Sequence, residues 1–314
     1  MHLLIPYAAP DSDACRAAMA QLQLPQLTAL LRVLSPLPAV QLAPESLCAV
    51  AEHVQARAMG MPADDGLIPW AAWDAQRLGL TSGKPSAAWA HITPCHWQIH
   101  ADHVSMAAPE DLGLSDEESS AFMAAMQAYF LEDGIRLHPF TTNTWLAEGE
   151  VFKRLPTASV ERVHGKSVDA WMPRQAQAKT LRRLQNEMQM LLYTHPLNDA
   201  RSARRQAIVN SFWVSGTGDL PAHANVQAQA VRVVDTLRRP AQQDHAQAWL
   251  AAWHTLDAQE LAPLLAAAQS GQAVQLTMCG ELSAHSYSTQ PLSAWARLAR
   301  TWRTPKTLSI LQSL

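Results

Sequence analysis

The chain has 314 residues, of which 48% are hydrophobic and 16% are charged, and its formal net charge at pH 7 is -3. A chain of this length can bury a large core, as one large domain or as two smaller ones. The small net charge offers nothing that would attract a polyanion or an anionic lipid surface. We therefore expect neither nucleic acid nor a membrane as a partner.

No window approaches the roughly 18 uninterrupted apolar residues that span a bilayer. The opening stretch "MHLLIPYAAP" lacks the basic region of a signal peptide. The cysteines are widely spaced and form no CxxC pair; they are Cys15, Cys48, Cys95 and Cys279. We therefore expect a cytoplasmic protein with no disulfide framework, no metal site and no cofactor.

In the first half of the chain, strand patterns and helix patterns alternate. Residues 2–7 predict a buried strand. The spacing of apolar residues predicts helices over 24–34, 44–58, 67–80 and 115–134. Residues 87–107 alternate β-branched or aromatic residues with polar ones, which predicts two strands split at Pro94. Residues 135–149 again have the composition of strands.

The second half has the same alternation. Helical patterns cover residues 179–194, 244–256, 256–271, 292–303 and 304–314. Strands are predicted over 207–216 and 272–281, and residues 225–237 predict a helix or a mixture of helix and strand.

Two of these helices carry sequence signals at their N-termini. Ser115 and Glu118 have the spacing of a capping box, in which each side chain accepts a hydrogen bond from the other residue's backbone N–H. Asp257 and Glu260 have the same spacing near the start of the helix over 256–271. We therefore expect each pair to fix the start of its own helix.

The alternation of strands and helices along the whole chain is typical of the α/β class. We expect a layered sheet flanked by helices. The chain is expected to form one compact unit over residues 1–314, with possible lobes at 1–150 and 151–314. No internal repeat, low-complexity tract or long linker interrupts the pattern.

Tryptophan is the unusual residue of this composition, with 11 copies against five Phe and four Tyr. An indole N–H needs a hydrogen-bond partner when the ring is buried. Two interpretations are open at this point. Either the indoles fill the core, or they line an aromatic-walled cleft.

One segment, "HPLNDARSARRQAIVNSFWVSGTG", combines features of an anion site. Asn198 and Arg201 are three residues apart, so they share a face on a helix. An apolar strand then leads to Gly216 and Gly218. Arginine suits phosphate and carboxylate groups, and glycines let backbone N–H groups approach an anion. The alternative is an ordinary helix–turn–strand corner, which a buried and hydrogen-bonded Asn210 would brace.

This segment resembles the cofactor-independent phosphoglycerate mutases of archaeal type, which carry an H-P-x-N-x-x-R element, an apolar strand and a G-x-G. It resembles still more closely the RpfE-type regulatory proteins of proteobacteria, as do "TPCHW", "LPTASVERVHGKSVDAWMP", "RLQNEMQMLLYTHP" and "LTMCGELSAHSY". The resemblance implies a partial likeness to the alkaline-phosphatase and phosphoglycerate-mutase type of fold. It also implies an anion-binding site formed by Asn198, Arg201, Asn210, Gly216 and Gly218.

The sequence departs from the mutase pattern. Ile208 stands where a proline usually precedes the apolar strand, and the glycine between the arginine and that strand is missing. No D-G-x-G-D pattern follows the first strand, where Asp11 and Asp13 occur, and Glu281 and His285 are isolated. Metal-dependent mutases use acidic and histidine ligands to hold two divalent metals. We therefore expect that metal-assisted phosphoryl transfer has been lost or was never present.

A histidine cluster lies within thirteen residues and consists of His91, His96, His100 and His103. Two same-face histidines four apart on a strand are about 13 Å apart, so a shared metal would need a bend in the strand. We interpret these residues as polar side chains of a half-buried sheet. A serine hydrolase is also set aside, because Ser215 in "VSGTG" precedes the glycines and forms no G-x-S-x-G elbow.

Three functions follow from these observations. The first is a regulatory or ligand-sensing protein that resembles the RpfE type. It would keep an anion-binding corner for a small phosphorylated or carboxylate ligand, without metal-dependent catalysis. The alternative is an active phosphoglycerate mutase or phosphohydrolase relative, and the third is an interaction protein whose Trp-rich face binds a partner. The missing metal-ligand pattern favours the first.

Overall fold

The computed structural model of the chain describes residues 1–80, 87–221, 224–290 and 305–314. The helix predicted over 292–303 lies outside these ranges. The chain divides into two compact units. Unit one comprises Met1–Pro44, Ala49–Gly60 and Val226–Leu314, and unit two comprises Glu45–Cys48 and Met61–Asn225. Both ends of the chain therefore belong to unit one, whereas the sequence suggested lobes at 1–150 and 151–314.

The strands are named in chain order. They are β1 (His2–Ile5), β2 (Ser35–Pro36), β3 (Val40–Gln41), β4 (Trp89–Cys95), β5 (Trp97–Ile99), β6 (Val104–Met106), β7 (Arg136–Thr141), β8 (Thr144–Glu148), β9 (Ser211–Gly218), β10 (Arg232–Val233), β11 (Gln275–Cys279) and β12 (Ser283–Ser288).

The helices are α1 (Asp13–Met19), α2 (Pro25–Val33), α3 (Val50–Met59), α4 (Trp70–Arg77), α5 (Asp116–Glu132), α6 (Val160–Val163), α7 (Ala178–Tyr193), α8 (Pro196–Ala203), α9 (Arg238–Gln242), α10 (Ala246–Leu256), α11 (Ala262–Gln269) and α12 (Thr307–Gln312). Sheets flanked by helices confirm the α/β class. Among the described helices, none is both long and apolar enough to cross a membrane.

Unit one is built on a sheet with the strand order β10-β1-β11-β12-β2, in which β3 also pairs with β12. The strands β10, β1 and β11 run parallel, and β12 is antiparallel to β11. Leu3, Leu4 and Ile5 of β1 are all buried, as expected of a parallel strand that is covered on both faces. The core continues into α1, α2, α10 and α11, where it includes Leu27 and Trp253.

Unit two is built on an antiparallel sheet with the order β7-β8-β4-β9. Successive side chains of a strand point to opposite faces, so this sheet has two different surfaces. One surface carries Ile92, Trp145 and Phe212, which pack with α5 and α7 in a single core. The opposite surface carries His91, whose ring contacts Asp74 of α4.

The strand break in the first half of unit two lies at His96 and not at Pro94. Pro94 is inside β4, paired with Phe212 of β9. Proline cannot donate to a ladder, but the pairing of β4 with β8 ends at Ile92. On the β8 side of β4, no described partner strand lies beside Pro94 to accept a backbone hydrogen bond. The missing N–H therefore does not interrupt the strand, which continues to Cys95.

Two predicted helices differ from the observed elements. The helix over 44–58 begins only at Val50, because the N–H groups of Leu47 and Cys48 are bound by the Asp65 carboxylate at 3.0 Å each. Over 225–237 the regular structure is the short strand β10, which the β-branched residues of this segment favour beside β1.

The capping box of Ser115 and Glu118 is confirmed at the start of α5, but Asp257 caps a different helix from the predicted one. The chain passes from α10 to α11 through a π-helical turn, Asp257–Leu261, so no helix begins there. The Asp257 carboxylate accepts hydrogen bonds from the N–H groups of Gln26 (3.1 Å) and Leu27 (2.8 Å) in the first turn of α2. Burial raises the pKa of Asp257, and these two hydrogen bonds oppose the rise.

Candidate functional site

Asn198 lies on α8, as the spacing predicted, and it joins α8 to the chain that enters β9. Its side-chain N–H groups donate to the carbonyls of Leu192 (2.8 Å) and Val209 (2.7 Å), and its oxygen accepts from the Val209 N–H (3.0 Å). The residue is 3% exposed. Both the N–H groups and the oxygen of its amide are therefore hydrogen-bonded to the protein backbone.

Arg201 is buried completely, with 0% exposure. Its guanidinium donates to the Ala207 carbonyl (2.8 Å), to the Glu118 carboxylate (2.6 Å) and to the Leu112 carbonyl. These partners belong to three separate parts of unit two. A buried charge requires such pairing, and here the protein supplies all of it.

Asn210 is half-buried and hydrogen-bonded on both sides of its amide. Its oxygen accepts from the Trp97 N–H (2.7 Å), and its N–H donates to the Trp97 carbonyl (2.9 Å). The side chain thus holds the start of β5 beside the end of β4, where the ladder is interrupted at His96.

Gly216 and Gly218 lie at the far end of β9, packed against the start of α4. A Cβ on Gly216 would lie 2.9 Å from His91 Nδ1 and 3.2 Å from Trp70 Cβ, and one on Gly218 would lie 3.3 Å from Pro69 Cβ. Both glycines have positive φ, +61° and +137°. Their missing side chains let α4 approach the sheet closely.

The structure therefore does not bring the predicted anion-site residues together. Asn198 binds Val209, and six residues of mostly extended chain (210–215) lie between Val209 and Gly216, a span of roughly 20 Å. The observed contacts of Asn198, Arg201 and Asn210 are those of a helix–turn–strand corner. An anion-binding role for these residues stays a prediction.

The predicted histidine cluster is divided among separate partners. The pairs are His91 with Asp74 (3.0 Å), His96 with the Ile208 carbonyl (2.9 Å), His100 with Ser105 (2.8 Å) and His103 with Asp102 (2.7 Å). In the part of the chain that the structure describes, no three His, Cys, Asp or Glu side chains form a group that could hold a metal ion.

Two acidic residues that follow strands of unit one lie near a small cleft of about 290 Å³. Asp11 and Glu281 line it at the carboxyl ends of β1 and β11, together with Arg16. Arg16 forms an ion pair with the Asp11 carboxylate and donates to the Asp11 carbonyl (2.8 Å). His285 lies on β12, where burial lowers its pKa.

A second cleft in unit one has a volume of about 730 Å³, and it differs from the first in the charge of its described lining residues. We call it the α2–α12 cleft, because α2 with the residues before it lines one side and residues 305–309 line the other. Its polar lining includes Arg32, Lys306, Thr28, Thr307 and Ser309. No Asp or Glu lies among its described lining residues, which are cationic or neutral.

The sequence of α2 explains why Arg32 faces this cleft. Leu27, Leu30 and Leu31 are buried in the core, which leaves the other side of the helix to Thr28 and Arg32. These two residues are four apart and therefore neighbours on one face. Across the cleft, the Thr28 hydroxyl is hydrogen-bonded to the Thr307 hydroxyl at 2.8 Å.

Sequence reasoning missed this cleft. The apolar spacing over 24–34 predicts only a helix, and Arg32 is a single arginine without a recognisable motif. Lys306 lies 274 residues further along the chain. The one usable signal was the i, i+4 pair of Thr28 and Arg32 on the polar side of an amphipathic helix.

No protein-family model matches the chain, and no curated protein matches it. Among solved structures, the chain is similar to the PH0037 protein from Pyrococcus horikoshii, at 12% identity and a TM-score of 0.48, over 92% of this chain and 87% of that one. It is also similar to the cofactor-independent phosphoglycerate mutase from Thermoplasma acidophilum, at 11% identity and a TM-score of 0.39, over 99% and 98% of the two chains. At this level, neither comparison indicates a function for the chain.

Proposed function

We propose that the protein is a ligand-sensing regulatory protein, of the kind that the RpfE-type resemblance implies. In this proposal it binds a small phosphorylated or carboxylate metabolite in the α2–α12 cleft and does not use metal-dependent catalysis. The observation that carries the proposal is a cleft of about 730 Å³ with two cationic side chains and no acid among its described lining. This volume is within the range of small-molecule sites.

The chemistry of the lining favours an anion. The guanidinium of Arg32 presents a planar fork of N–H donors that suits two oxygens of a phosphate or carboxylate. Lys306 adds a second positive charge. One hydroxyl of the Thr28–Thr307 pair donates to the other, so this pair and Ser309 together supply two neutral donors. Because Arg32 lies in the last turn of α2, the helix dipole also stabilises its charge.

A cytoplasmic location is part of this proposal. The four cysteines are free thiols, and each of them is buried. Reduced, buried cysteines are consistent with a reducing compartment, where cytoplasmic metabolites would be the available ligands.

A thermal-shift screen against phosphorylated and carboxylate metabolites tests the proposal. A ligand at about 100 times its Kd stabilises the folded state by roughly 2.7 kcal/mol. For the best hit, Arg32→Ala and Lys306→Ala should each weaken binding about tenfold to a hundredfold, because a charge-assisted hydrogen bond contributes about 1.5–3 kcal/mol. Arg57→Ala, at an exposed arginine of α3 in the same unit, is the control and should bind normally.

Two outcomes would contradict the proposal. In the first, no anion of the panel raises the melting temperature. In the second, a hit binds the Arg32 and Lys306 variants as tightly as the wild type.

A coupled mutase assay with added Mn²⁺ tests the alternative function, since turnover that Asp11→Asn abolishes would indicate an active phosphoglycerate mutase.

A further inference from the structure

A second site lies in unit two, where Asp74 of α4 meets His91 of β4. The carboxylate Oδ2 of Asp74 is 3.0 Å from His91 Nε2, and each side chain is 16% exposed. An ionised carboxylate only accepts hydrogen bonds, so Nε2 carries the proton and Nδ1 is left as the basic nitrogen. Phe140 fixes the ring from another direction, with parallel rings at a centroid distance of 5.8 Å.

Ser215 has no G-x-S-x-G elbow, but it lies on the same face of the sheet as His91. The two residues are directly opposite each other in the register of β4 and β9. Side chains opposite each other in an antiparallel pair have Cβ atoms about 4.5–5.5 Å apart. Ser215 is 8% exposed, and no hydrogen bond joins it to His91 in this structure. Such bonds are often long in the absence of substrate and shorten when it binds.

The backbone bends immediately after Ser215. The register of β9 against β4 shifts between the partners of Trp89 and His91, and Gly216 has a φ of +61°. A bulge of this kind re-aims the neighbouring side chain and is frequent beside active sites. A Cβ on residue 216 would lie 2.9 Å from His91 Nδ1, so the basic edge of the imidazole faces the chain that carries Ser215.

Unused N–H groups lie beside the same bend. The N-cap of α4 is Pro69, which provides no side-chain hydrogen bond. Within the described ranges, the backbone N–H groups of Ala71 and Ala72 have no hydrogen-bond partner, although both residues are buried. Ala71 N lies 3.5 Å from the position of a Cβ on Gly216. Paired N–H donors at a helix start suit the negative oxygen that develops in acyl transfer.

We propose that Ser215, His91 and Asp74 form an acyl-transfer site that hydrolyses small esters. As the Ser215 hydroxyl oxygen bonds to the acyl carbon, its proton passes to His91 Nδ1. The bond from the acyl carbon to the alcohol oxygen then breaks, and that oxygen takes the proton from His91. Water repeats the sequence on the acyl-serine, which releases the carboxylic acid and restores Ser215. Asp74 is the positioning residue that holds the ring and its tautomer.

Labelling of the full chain with a fluorophosphonate probe, followed by peptide mass spectrometry, tests the proposal. The expected result is a covalent adduct on Ser215 and turnover of p-nitrophenyl acetate that the adduct abolishes. His91→Gln should slow labelling at least about a hundredfold, the effect of losing a general base. Ser211→Ala, at a buried serine of the same strand, is the control and should still label at Ser215.

The role of Asp74 has its own readout. Asp74→Asn should slow labelling of Ser215, because an amide does not oblige His91 Nε2 to keep its proton as the carboxylate does. Asp74→Glu keeps a carboxylate and should restore part of the labelling rate, whereas equal slowing by both variants would indicate a role in folding alone. Circular dichroism confirms that each variant is folded. The absence of an adduct on Ser215 in the folded wild type, or an adduct whose rate does not depend on His91, would overturn the proposal.

Discussion

The guanidinium of Arg201 suits an anion, but its hydrogen bonds are made to other parts of unit two. The sequence shows its donors and the helix face that it shares with Asn198. It does not show the acceptors, because Glu118 is 83 residues away and Leu112 is 89 residues away. Only the folded chain shows that these acceptors occupy the guanidinium and leave its side chain with no exposed surface.

Arg201→Ala should destabilise the protein by about 3–5 kcal/mol, because it removes one partner of a buried ion pair and leaves the Leu112 and Ala207 carbonyls without their donor. Arg204→Ala is a matched control: Arg204 also contacts the Glu118 carboxylate, but its side chain is 54% exposed. An exposed ion pair contributes only about 0–1 kcal/mol. Urea unfolding followed by circular dichroism measures both changes, and equal effects of the two variants would contradict this account of Arg201.

Single elements were predictable where their signals are local. The capping box of α5, the amphipathic face of α7 and the buried run of β1 depend on neighbours within one or two turns or within one strand. The start of α2 depends on Asp257, which is 231 residues away from Gln26. A capping residue was therefore recognisable from sequence, but the helix that it caps was not.

The first strand also carries a pH-sensitive contact. His2 Nε2 is 2.9 Å from the Thr277 hydroxyl of β11, and burial, together with the amino group of Met1, lowers the pKa of His2 from 6.5 to about 4. Between these pH values the unfolded chain binds a proton that the folded chain does not. The contribution of His2 to stability is therefore complete above about pH 6.5 and is lost as the pH falls towards 4.

His2→Gln should remove this dependence, since glutamine keeps a polar group near Thr277 but does not titrate. Over this window the wild type should lose about 1–2 kcal/mol more than the variant, a value discounted for the partial exposure of His2. Denaturant unfolding at several pH values measures the difference. His254→Gln, at an exposed histidine of α10, is the control. Parallel stability curves for the wild type and His2→Gln would contradict the assignment.

The arrangement of the whole molecule was the least predictable level. Strand and helix composition indicated the α/β class, because that depends on local alternation. The division into units depends on which distant segments pair, as when β1 pairs with β10 and with β11 from the other end of the chain. The charges around the α2–α12 cleft come from segments at opposite ends of the chain. Local sequence patterns therefore do not predict how these charges are arranged.

Some of the tryptophans whose role the sequence leaves open lie in the interiors of the two units. Trp145 and Trp213 in unit two and Trp249 and Trp253 in unit one are among the largest fully buried side chains. The indole N–H of Trp213 donates to the Ala158 carbonyl (2.8 Å), and that of Trp249 donates to the Tyr7 carbonyl (3.1 Å). These rings therefore fill the cores and also satisfy loop carbonyls that the cores would otherwise desolvate.

Trp213→Phe and Trp249→Phe should each destabilise the protein by about 1–3 kcal/mol, because each leaves a carbonyl without its indole donor while keeping an aromatic ring. Trp73→Phe is the control: Trp73 is half-buried on α4, and its indole donates to no carbonyl among the described residues. Guanidinium unfolding followed by circular dichroism compares the three variants. If all three unfold at the wild-type midpoint, the indole hydrogen bonds do not stabilise either unit, and the tryptophans contribute through their apolar surface alone.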